Sequence, residues 1–324
     1  MPGRAGFQPA PSLPAAPAIE ADGLRKRFGQ VQAVNGLSLR VAAGDIFGLV
    51  GPDGAGKTTT IRLLAGALPP DQGSARLAGF DVAAQGEEVK RRLGYVPQRS
   101  SLYGELTVAE NILFRARVHG VKGKVFEERR ERLLTFSRLG RFQDRLARDL
   151  SGGMRQKLSL ACALIHEPEV LLLDEPTTGV DPISRDEFWE LLLGLARRGV
   201  TIFTSTAYLD EAERCARVGL MYQGRLLAEG TPQEVRGQAG LELLQVSCQP
   251  LLAGRDAAQR VPGVSWAEVF ADRLHLAVRS AQEAEAPVRT ALERAGAKVT
   301  GMRRIAPGLE ETFFELVRRQ VGQG

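Results

Sequence analysis

The sequence predicts an α/β fold organised around a parallel sheet, with an antiparallel sheet before it and a small α+β unit after it. An apolar strand, a glycine-rich turn and a helix follow one another in residues 46–64. A second, fully apolar strand in residues 170–173 leads into two carboxylates. After residue 241, short strands and helices alternate anew. Buried apolar strands joined by helices are typical of parallel sheets that are covered on both faces.

The composition is that of an ordinary globular protein, since 44% of the 324 residues are hydrophobic and 25% are charged. No run of about 18 apolar residues is present, so we expect no transmembrane helix and expect any membrane role to come through a partner. Residues 1–18 are rich in proline and alanine without a signal-peptide core, which predicts a disordered lead-in and a cytoplasmic protein. The net charge of +5 includes no basic block, so we expect no nucleic-acid partner. Three scattered cysteines are predicted to be buried apolar residues.

Residues Ile19–Phe28 and Val31–Val41 are predicted to be antiparallel strands, because apolar and polar residues alternate along the second of them. Phe28 lies shortly before the glycine-rich turn. Its ring either stacks on an adenine, which contributes about 1–3 kcal/mol per base, or belongs to the core. Spacing alone favours neither interpretation.

The glycine-rich turn matches the phosphate-binding pattern G-x-x-x-x-G-K-[ST] at every fixed position of residues 51–58. Its glycines allow backbone N–H groups to surround phosphate oxygens at the start of a helix. Lys57 is predicted to reach the β- and γ-phosphates, and the Thr58 hydroxyl to bind Mg²⁺. The predicted nucleotide contacts are Gly51, Pro52, Asp53, Gly54, Ala55, Gly56, Lys57, Thr58 and Thr59.

Short strands are predicted at residues 77–79 and 94–96, and Gln98 follows the second of them. Gln98 either touches Mg²⁺ or the attacking water, or is an exposed loop residue. Residues 99–150 change to a helical pattern, with a capping box that begins at Thr107 and a second amphipathic stretch at 127–139. This helical block has no chemistry of its own and is predicted to be a docking subdomain.

Two further helix and strand ends carry polar groups. Ser151 is a good N-cap for a helix whose open, glycine-rich start suits an anion, although on this segment alone a plain helix cap is the favoured interpretation. The apolar strand at 170–173 leads to Asp174, which is placed to hold Mg²⁺. Glu175 follows and is placed to polarise the water that attacks the γ-phosphate.

Taken in order, these segments resemble the nucleotide-binding subunit of ABC transporters over about residues 19–240. The motifs that carry the resemblance are Phe28, GPDGAGKT at 51–58, Gln98, LSGGMRQ at 150–156, VLLLDEP at 170–176 and GVD at 179–181. TTGVDP at 177–182 is similar to the ABC-2 exporter branch, including its daunorubicin-resistance type. The resemblance implies a P-loop NTPase fold with an antiparallel β subdomain and a helical subdomain at about 99–150.

The resemblance also implies site roles and partners. Phe28 would stack on adenine, Gln98 would bind Mg²⁺ and couple the site to transport, and Asp181 would link two sites. ATP and Mg²⁺ are the implied cofactors. In this family the LSGGxRQ segment completes the ATP site of a facing subunit, so the implied partners are a second ABC ATPase subunit and an ABC-2-type membrane permease. The residues implied to act across that interface are Ser151, Gly152, Gly153, Gln156 and Asp181. Asp181 is also predicted to be the N-cap of the helix that begins at Pro182.

One position departs from the family pattern. A strand is predicted at residues 200–205, and the family has a histidine two residues past its end, where this chain has Ala207. A methyl group donates no hydrogen bond, and losing one preorganised donor costs about 10²–10³ in rate. We therefore expect slow hydrolysis at this chain's own site. Either the chain pairs with a different subunit that keeps its histidine, or it forms a homodimer in which water or Tyr208 substitutes.

Residues 241–324 are predicted to form an α+β accessory domain, ferredoxin-like by element order, with a dimer-stabilising or regulatory role. Strands are expected at 241–248, 264–270, 273–279 and 298–305, and helices at 281–295 and 309–319. No catalytic cluster is expected there. The sequence as a whole predicts the ATP-hydrolysing subunit of an exporter on the inner face of the cell membrane. A non-transport ABC ATPase and an ATP-binding regulatory module with little turnover are the alternatives.

Overall fold

The computed structural model describes residues 16–238, 240 and 242–321. The chain divides into two compact units, one up to Glu229 and the other from Gly230. The sequence predicts this division near residue 240, so residues 230–238, which were expected in the first unit, belong to the second. Most of the predicted lead-in, residues 1–15 of 1–18, lies outside the described residues.

The elements of the first unit follow the predicted alternation of strands and helices. The first ten strands are β1 (Ile19–Phe28), β2 (Val31–Val41), β3 (Ile46–Val50), β4 (Gln72–Leu77), β5 (Phe80–Asp81), β6 (Leu93–Val96), β7 (Val170–Asp174), β8 (Thr201–Thr206), β9 (Arg217–Tyr222) and β10 (Arg225–Gly230). The helices in this stretch are α1 (Lys57–Leu64), α2 (Gly86–Arg92), α3 (Val108–Val118), α4 (Gly123–Phe136), α5 (Gly152–Leu164), α6 (Pro182–Ala196) and α7 (Leu209–Ala212).

Two sheets form this unit. The antiparallel sheet has the strand order β2-β1-β4-β5, which includes the predicted pairing of β1 with β2. The larger sheet has the order β10-β9-β3-β8-β7-β6, and β3, β6, β7, β8 and β9 pair in parallel. Because β3 lies beside β8 and β8 beside β7, the carboxyl ends of these three strands meet at one edge. That edge carries the glycine-rich turn and the two carboxylates.

A single apolar core connects the antiparallel sheet, α1 and the larger sheet. Leu24, Leu37, Ile61, Leu172 and Phe203, which come from all three layers, are at most 1% exposed. Burying a side chain of this size contributes about 1.5–3 kcal/mol. The start of α1 is therefore fixed against both sheets.

The expected strand at residues 77–79 is wrong in position. The strand is β4, which ends at Leu77, and Ala78 and Gly79 turn into β5 with φ angles of 49° and 82°. The left-handed backbone breaks the ladder there. The pattern of three apolar residues gave no sign of this turn.

The helical block agrees with the sequence more closely. Thr107 accepts a hydrogen bond from the backbone N–H of Glu110, and the Glu110 side chain accepts one from the backbone N–H of Thr107, so the capping box is confirmed. The second amphipathic stretch is α4, which begins four residues before the predicted 127–139 and ends three before. Across the described ranges, no helix is both long and apolar enough to span a bilayer.

The second unit has the element order of a ferredoxin-like module. It contains α8 (Pro232–Gln238), β11 (Glu242–Gln249), α9 (Leu251–Ala258), β12 (Val264–Phe270), β13 (Arg273–Val278), α10 (Ala281–Arg294), β14 (Lys298–Ile305) and α11 (Leu309–Val321). The strands form one antiparallel sheet in the order β12-β13-β11-β14. Helix α9 was not predicted from the sequence, because it is short and has glycine at position 254. His275 Nδ1 and Glu311 Oε1, 2.7 Å apart, join α11 to this sheet.

Candidate functional site

The glycine-rich turn leaves the end of β3 and enters α1 along a path that only glycine permits at two positions. A Cβ at Gly51 would lie 2.2 Å from the carbonyl oxygen of Met221, and one at Gly56 would lie 2.2 Å from that of Ala33. Gly56 also has φ 109°, a value that side chains rarely allow. The backbone of the turn thus lies too close to the carbonyl groups of neighbouring segments for a side chain at either position.

The Lys57 ammonium lies inside this turn. Its Nζ donates to the carbonyl oxygens of Gly51 at 2.7 Å and Pro52 at 3.1 Å, and forms an ion pair with Glu175 Oε1 at 3.0 Å. Lys57 is 4% exposed and Glu175 is 7% exposed. A buried ammonium held at the mouth of a phosphate-binding turn is suited to an anionic ligand.

Oxygen donors suited to Mg²⁺ converge beside the lysine. Thr58 Oγ1 donates to Asp174 Oδ1 at 3.0 Å, and Ser205 Oγ donates to the same oxygen at 2.8 Å. Burial raises the pKa of Asp174, and these two hydrogen bonds oppose that rise. The described residues contain no group of three or more His, Cys, Asp or Glu that could hold a metal. A hydroxyl and one carboxylate fit Mg²⁺, which commonly takes its remaining ligands from water and substrate phosphates.

Replacing Thr58 by valine is expected to weaken Mg²⁺-dependent ATP binding about 10- to 100-fold, because the hydroxyl proposed to bind the charged metal ion is lost. In EDTA the variant and the wild type should bind ATP equally. Titration of a fluorescent ATP analogue under both conditions measures this difference. Thr58→Ser keeps the hydroxyl and should behave as wild type. An equal loss for Thr58→Val in EDTA would contradict a role at the metal.

Glu175 takes a backbone conformation that is uncommon for its residue type. Its φ is 47°, and its backbone N–H donates to Ser205, with 3.2 Å to the carbonyl oxygen and 3.0 Å to Oγ. Gln98 Nε2 donates to Glu175 Oε2 at 2.8 Å, and the Thr178 hydroxyl lies 3.4 Å from the same oxygen. A strained backbone position persists where several surrounding contacts hold it, and such positions often lie at functional sites. Gln98 is exposed, as the alternative interpretation held, and it contacts the carboxylate as well.

The structure therefore brings together five predicted residues: Lys57, Thr58, Gln98, Asp174 and Glu175. Within the turn that supplies the first two, Pro52, Asp53 and Gly54 are exposed, Gly51 and Ala55 are buried, and Gly56 and Thr59 are half-buried.

Phe28 lies on the surface. Its side chain is 49% exposed, and the Lys26 ammonium lies 5.9 Å from its ring centroid. The interpretation of Phe28 as a core aromatic is wrong. An exposed ring is accessible to a base, and the stacking role stays a prediction.

The LSGGMRQ segment at 150–156 leads into the start of α5, where Ser151 Oγ accepts from the backbone N–H of Met154 at 3.3 Å. The plain cap is thus present. A Cβ at Gly153 would lie 2.5 Å from Ser184 Cβ, so the starts of α5 and α6 are in close contact. Asp181 Oδ1 accepts from the backbone N–H of Ser184 at 2.9 Å and caps α6, as predicted. This bond lowers the pKa of Asp181.

The position of the departure from the family pattern is also clear. Ala207 follows the last residue of β8 and is exposed. The guanidinium carbon of Arg185 lies 4.5 Å from the Tyr208 ring centroid, so the tyrosine is engaged with α6. Cys162, Cys215 and Cys248 are buried and unpaired, as predicted. Burial raises the pKa of Cys162 to about 12.

Sequence reasoning missed three residues around this site. Ser205 contacts both Asp174 and Glu175, while Thr177 and Thr206 donate hydrogen bonds to the buried carboxylate of Glu211. Their partners lie 5 to 34 residues away along the chain. The one available signal was the presence of hydroxyl residues at the ends of two neighbouring buried strands.

Comparison with known proteins gives a consistent result. The family model described as ABC transporter matches residues 34–178. The chain is 43% identical over 305 residues to the probable multidrug ABC transporter ATP-binding protein YbhF of Escherichia coli, covering 92% of this chain and 52% of that protein. The chain thus spans about half the length of that relative. It is 39% identical over 306 residues to the Nod factor export ATP-binding protein I of Paraburkholderia xenovorans, covering 94% of this chain and 98% of that protein.

A third relative and a solved structure extend the comparison. The daunorubicin/doxorubicin resistance ATP-binding protein DrrA of Streptomyces peucetius is 42% identical over 230 residues, which are 71% of this chain and 70% of that protein. A solved ATP-binding subunit of an ABC transporter matches with a TM-score of 0.63 and 31% identity, over 69% of this chain and 93% of its own. The predicted resemblance and the predicted fold class are confirmed. The chain belongs to the family of ABC transporter ATP-binding proteins.

Proposed function

We propose that this chain binds Mg²⁺–ATP and hydrolyses it as the ATPase subunit of an ABC-2-type exporter, acting on a separate membrane permease from the inner face of the membrane. The observation that carries the proposal is the Lys57–Glu175–Gln98 arrangement at the end of a buried parallel strand. The names of the relatives, which include multidrug, Nod factor export and daunorubicin resistance proteins, support export as the use of this activity.

Each residue of the arrangement has a distinct task. Lys57 binds the β- and γ-phosphate oxygens, and in doing so exchanges its carbonyl and carboxylate partners for phosphate. Glu175 accepts a proton from the attacking water, since its carboxylate lies beside the lysine at the mouth of the turn. Gln98 orients that carboxylate through its amide N–H. Thr58 and Asp174 would hold Mg²⁺, which neutralises charge on the transferred phosphoryl group when bound.

The partner subunit supplies the other half of the site in this proposal. Nucleotide would lie between Lys57 of one chain and the segment from Ser151 to Gln156 of the other, with Phe28 against the adenine. The exposed Ser151 and Asp181, at the starts of two helices in close contact, support this interface because helix starts attract anions. The partner subunit is either another copy of this chain or a different ABC ATPase subunit.

The site built on this chain's own phosphate-binding turn hydrolyses slowly in this proposal, because Ala207 offers no donor to the γ-phosphate. Glu175 is present, so turnover is reduced and not abolished. Little turnover would also suit a regulatory module that binds ATP, which is the main alternative in function. Co-purification from detergent-solubilised membranes distinguishes an exporter subunit from a non-transport ATPase, because only the former should retain a multispanning membrane protein.

Replacing Lys57 by alanine is expected to lower the affinity for Mg²⁺–ATP about 10- to 100-fold, because the phosphates lose one charged hydrogen-bond donor. Isothermal titration of the full chain measures the affinity, and thermal unfolding checks that the variant is folded. Lys90→Ala is the matched control, since Lys90 is an exposed lysine of α2 in the same unit. Unchanged affinity in a folded Lys57→Ala variant would overturn the proposed nucleotide site.

A further inference from the structure

The carboxylate of Glu211 is almost completely buried in α7, beside the site but outside it. Glu211 is 1% exposed, and each of its oxygens accepts from a different threonine. Thr177 Oγ1 donates to Oε1 at 2.5 Å, and Thr206 Oγ1 donates to Oε2 at 2.7 Å. Both threonines are 1% exposed as well. We name these three residues the Glu211 clamp.

A cation lies close to the Glu211 carboxylate. The Nε atom of Arg185 is 3.7 Å from Oε1, which is within the range of an ion pair but too far for a hydrogen bond. Arg185 also forms an ion pair with Asp210 at 3.3 Å and packs on the Tyr208 ring. Burying a charged carboxylate is costly, and an apolar side chain of similar volume commonly gives equal or better stability. A gain in stability therefore does not account for a glutamate at this position.

The clamp connects two chain segments that carry the ends of neighbouring strands. Thr177 lies two residues after Glu175, in the loop that follows β7, and Thr206 is the last residue of β8, directly before Ala207. The Thr206 hydroxyl also accepts from the backbone N–H of Tyr208 at 3.0 Å. The clamp thus ties the Glu175 loop to the segment in which this chain lacks the family histidine.

The backbone of Glu175 needs such support. Its φ of 47° is unfavourable for a residue with a side chain, so contacts on both sides of the residue must hold it. Ser205 holds the backbone N–H on one side. On the other side, the bond between Thr177 and Glu211 fixes the loop two residues further on. If that bond is lost, the loop can relax and the carboxylate can rotate away from the position of the attacking water.

We propose that Glu211 is a positioning residue, which fixes the direction of the Glu175 carboxylate through Thr177 and Thr206. The inference rests on the proposed ATPase activity. Thr206 meets the phosphate-binding turn through its backbone carbonyl oxygen, which accepts from the backbone N–H of Gly51 at 3.3 Å. Replacing a side chain of the clamp retains this backbone bond, so loss of the clamp lowers the rate of hydrolysis and leaves the affinity for Mg²⁺–ATP unchanged. Because the two threonines hold the same carboxylate, the clamp fails as a unit.

Single-turnover hydrolysis of labelled ATP by excess full-length protein tests the proposal, since it measures slow rates directly. Thr177→Val and Glu211→Gln are each expected to lower the rate constant about 10-fold, the effect of a small misplacement of the reacting groups. The ATP affinity of both variants should stay within about twofold of wild type, a shift well below 1 kcal/mol. Thr177→Ser keeps the hydroxyl and should restore the rate. The double variant Thr177→Val/Thr206→Val should be no slower than the slower of its two single variants.

Thr201→Val is the matched control. Thr201 is a buried threonine at the opposite end of β8, and its hydroxyl accepts from the backbone N–H of Gly44 at 2.9 Å. It should lower the unfolding temperature as much as Thr206→Val does, without a change in rate. A folded Thr177→Val variant with the wild-type rate, or a double variant whose losses multiply, would overturn the positioning role. If instead the wild-type chain fails to bind or hydrolyse Mg²⁺–ATP, the proposed function itself is wrong.

Discussion

Glu175→Gln is expected to lower the rate constant of ATP hydrolysis about 10²–10⁴-fold, the usual contribution of a general base. The amide has the same shape as the carboxylate and cannot accept a proton from water at neutral pH. Gln98 donates to Oε2 of Glu175, and the amide oxygen of the variant can accept that bond. The position of the side chain should therefore be retained while its basicity is lost.

Binding of ATP by Glu175→Gln should be unchanged or tighter. The carboxylate forms an ion pair with Lys57 at 3.0 Å, and its removal leaves the ammonium free to bind phosphate alone. It also removes a negative charge from the neighbourhood of the γ-phosphate. We therefore expect the variant to form a stable complex with Mg²⁺–ATP, and with the partner subunit when that subunit is present.

The control for this variant is Glu169→Gln. Glu169 precedes β7 at the opposite end of the strand and is 64% exposed, so its replacement should alter neither rate nor affinity. Single-turnover hydrolysis and gel filtration with and without Mg²⁺–ATP measure the two effects. If Glu175→Gln keeps more than about a tenth of the wild-type rate, another group must act as the base.

Ala207→His is expected to raise the steady-state ATPase rate of the isolated chain about 10²–10³-fold, the usual contribution of one preorganised donor to the developing charge. Ala207 is exposed at the end of β8, so a larger side chain meets no core. The neighbouring Thr206 is hydrogen-bonded to Glu211, which fixes the backbone from which the new imidazole extends.

Two further variants separate the donor from other effects. Ala207→Leu adds volume without a donor and should leave the rate unchanged. Tyr208→Phe tests whether the tyrosine hydroxyl substitutes for the missing histidine, and we expect little change because its ring packs against Arg185. An isolated wild-type chain that turns over as fast as the histidine variant would refute the slow-site hypothesis.

The Glu175→Gln variant also addresses the choice of partner subunit. In an asymmetric pair, this chain's Glu175→Gln should leave hydrolysis at the partner's site largely intact. In a homodimer, both sites carry the substitution and hydrolysis should be lost from both. Comparing the residual activity of the purified complex with that of the isolated chain therefore distinguishes the two assemblies.

Much of this site could be predicted from the sequence because its demands are local. A phosphate-binding turn needs glycines, a lysine and a hydroxyl within eight consecutive residues, and those at 51–58 satisfy every position. Asp174 and Glu175 follow a continuous apolar strand, and parallel strands place their carboxyl ends at one edge. The capping box at Thr107 and the cap at Asp181 were predictable for the same reason, because each cap acts within three or four residues.

The sequence was ambiguous where burial decides the role. Phe28 could be core or surface, and its exposure depends on how the antiparallel sheet faces the rest of the unit. The turn at Ala78 and Gly79 and the short helix α9 escaped prediction because a few residues carry too little pattern to outweigh their neighbours.

Local sequence determined the groups that carry the proposed chemistry, namely the turn, the lysine, the proposed metal ligands and the alanine at position 207. The tertiary structure alone decided how the carboxylate of Glu175, the proposed general base, is held. Ser205, Thr177, Thr206 and Glu211 meet because β7 and β8 are paired with Asp174 opposite Ser205. That register results from the packing of the whole sheet, and no periodicity within either strand records which residue of its neighbour lies opposite.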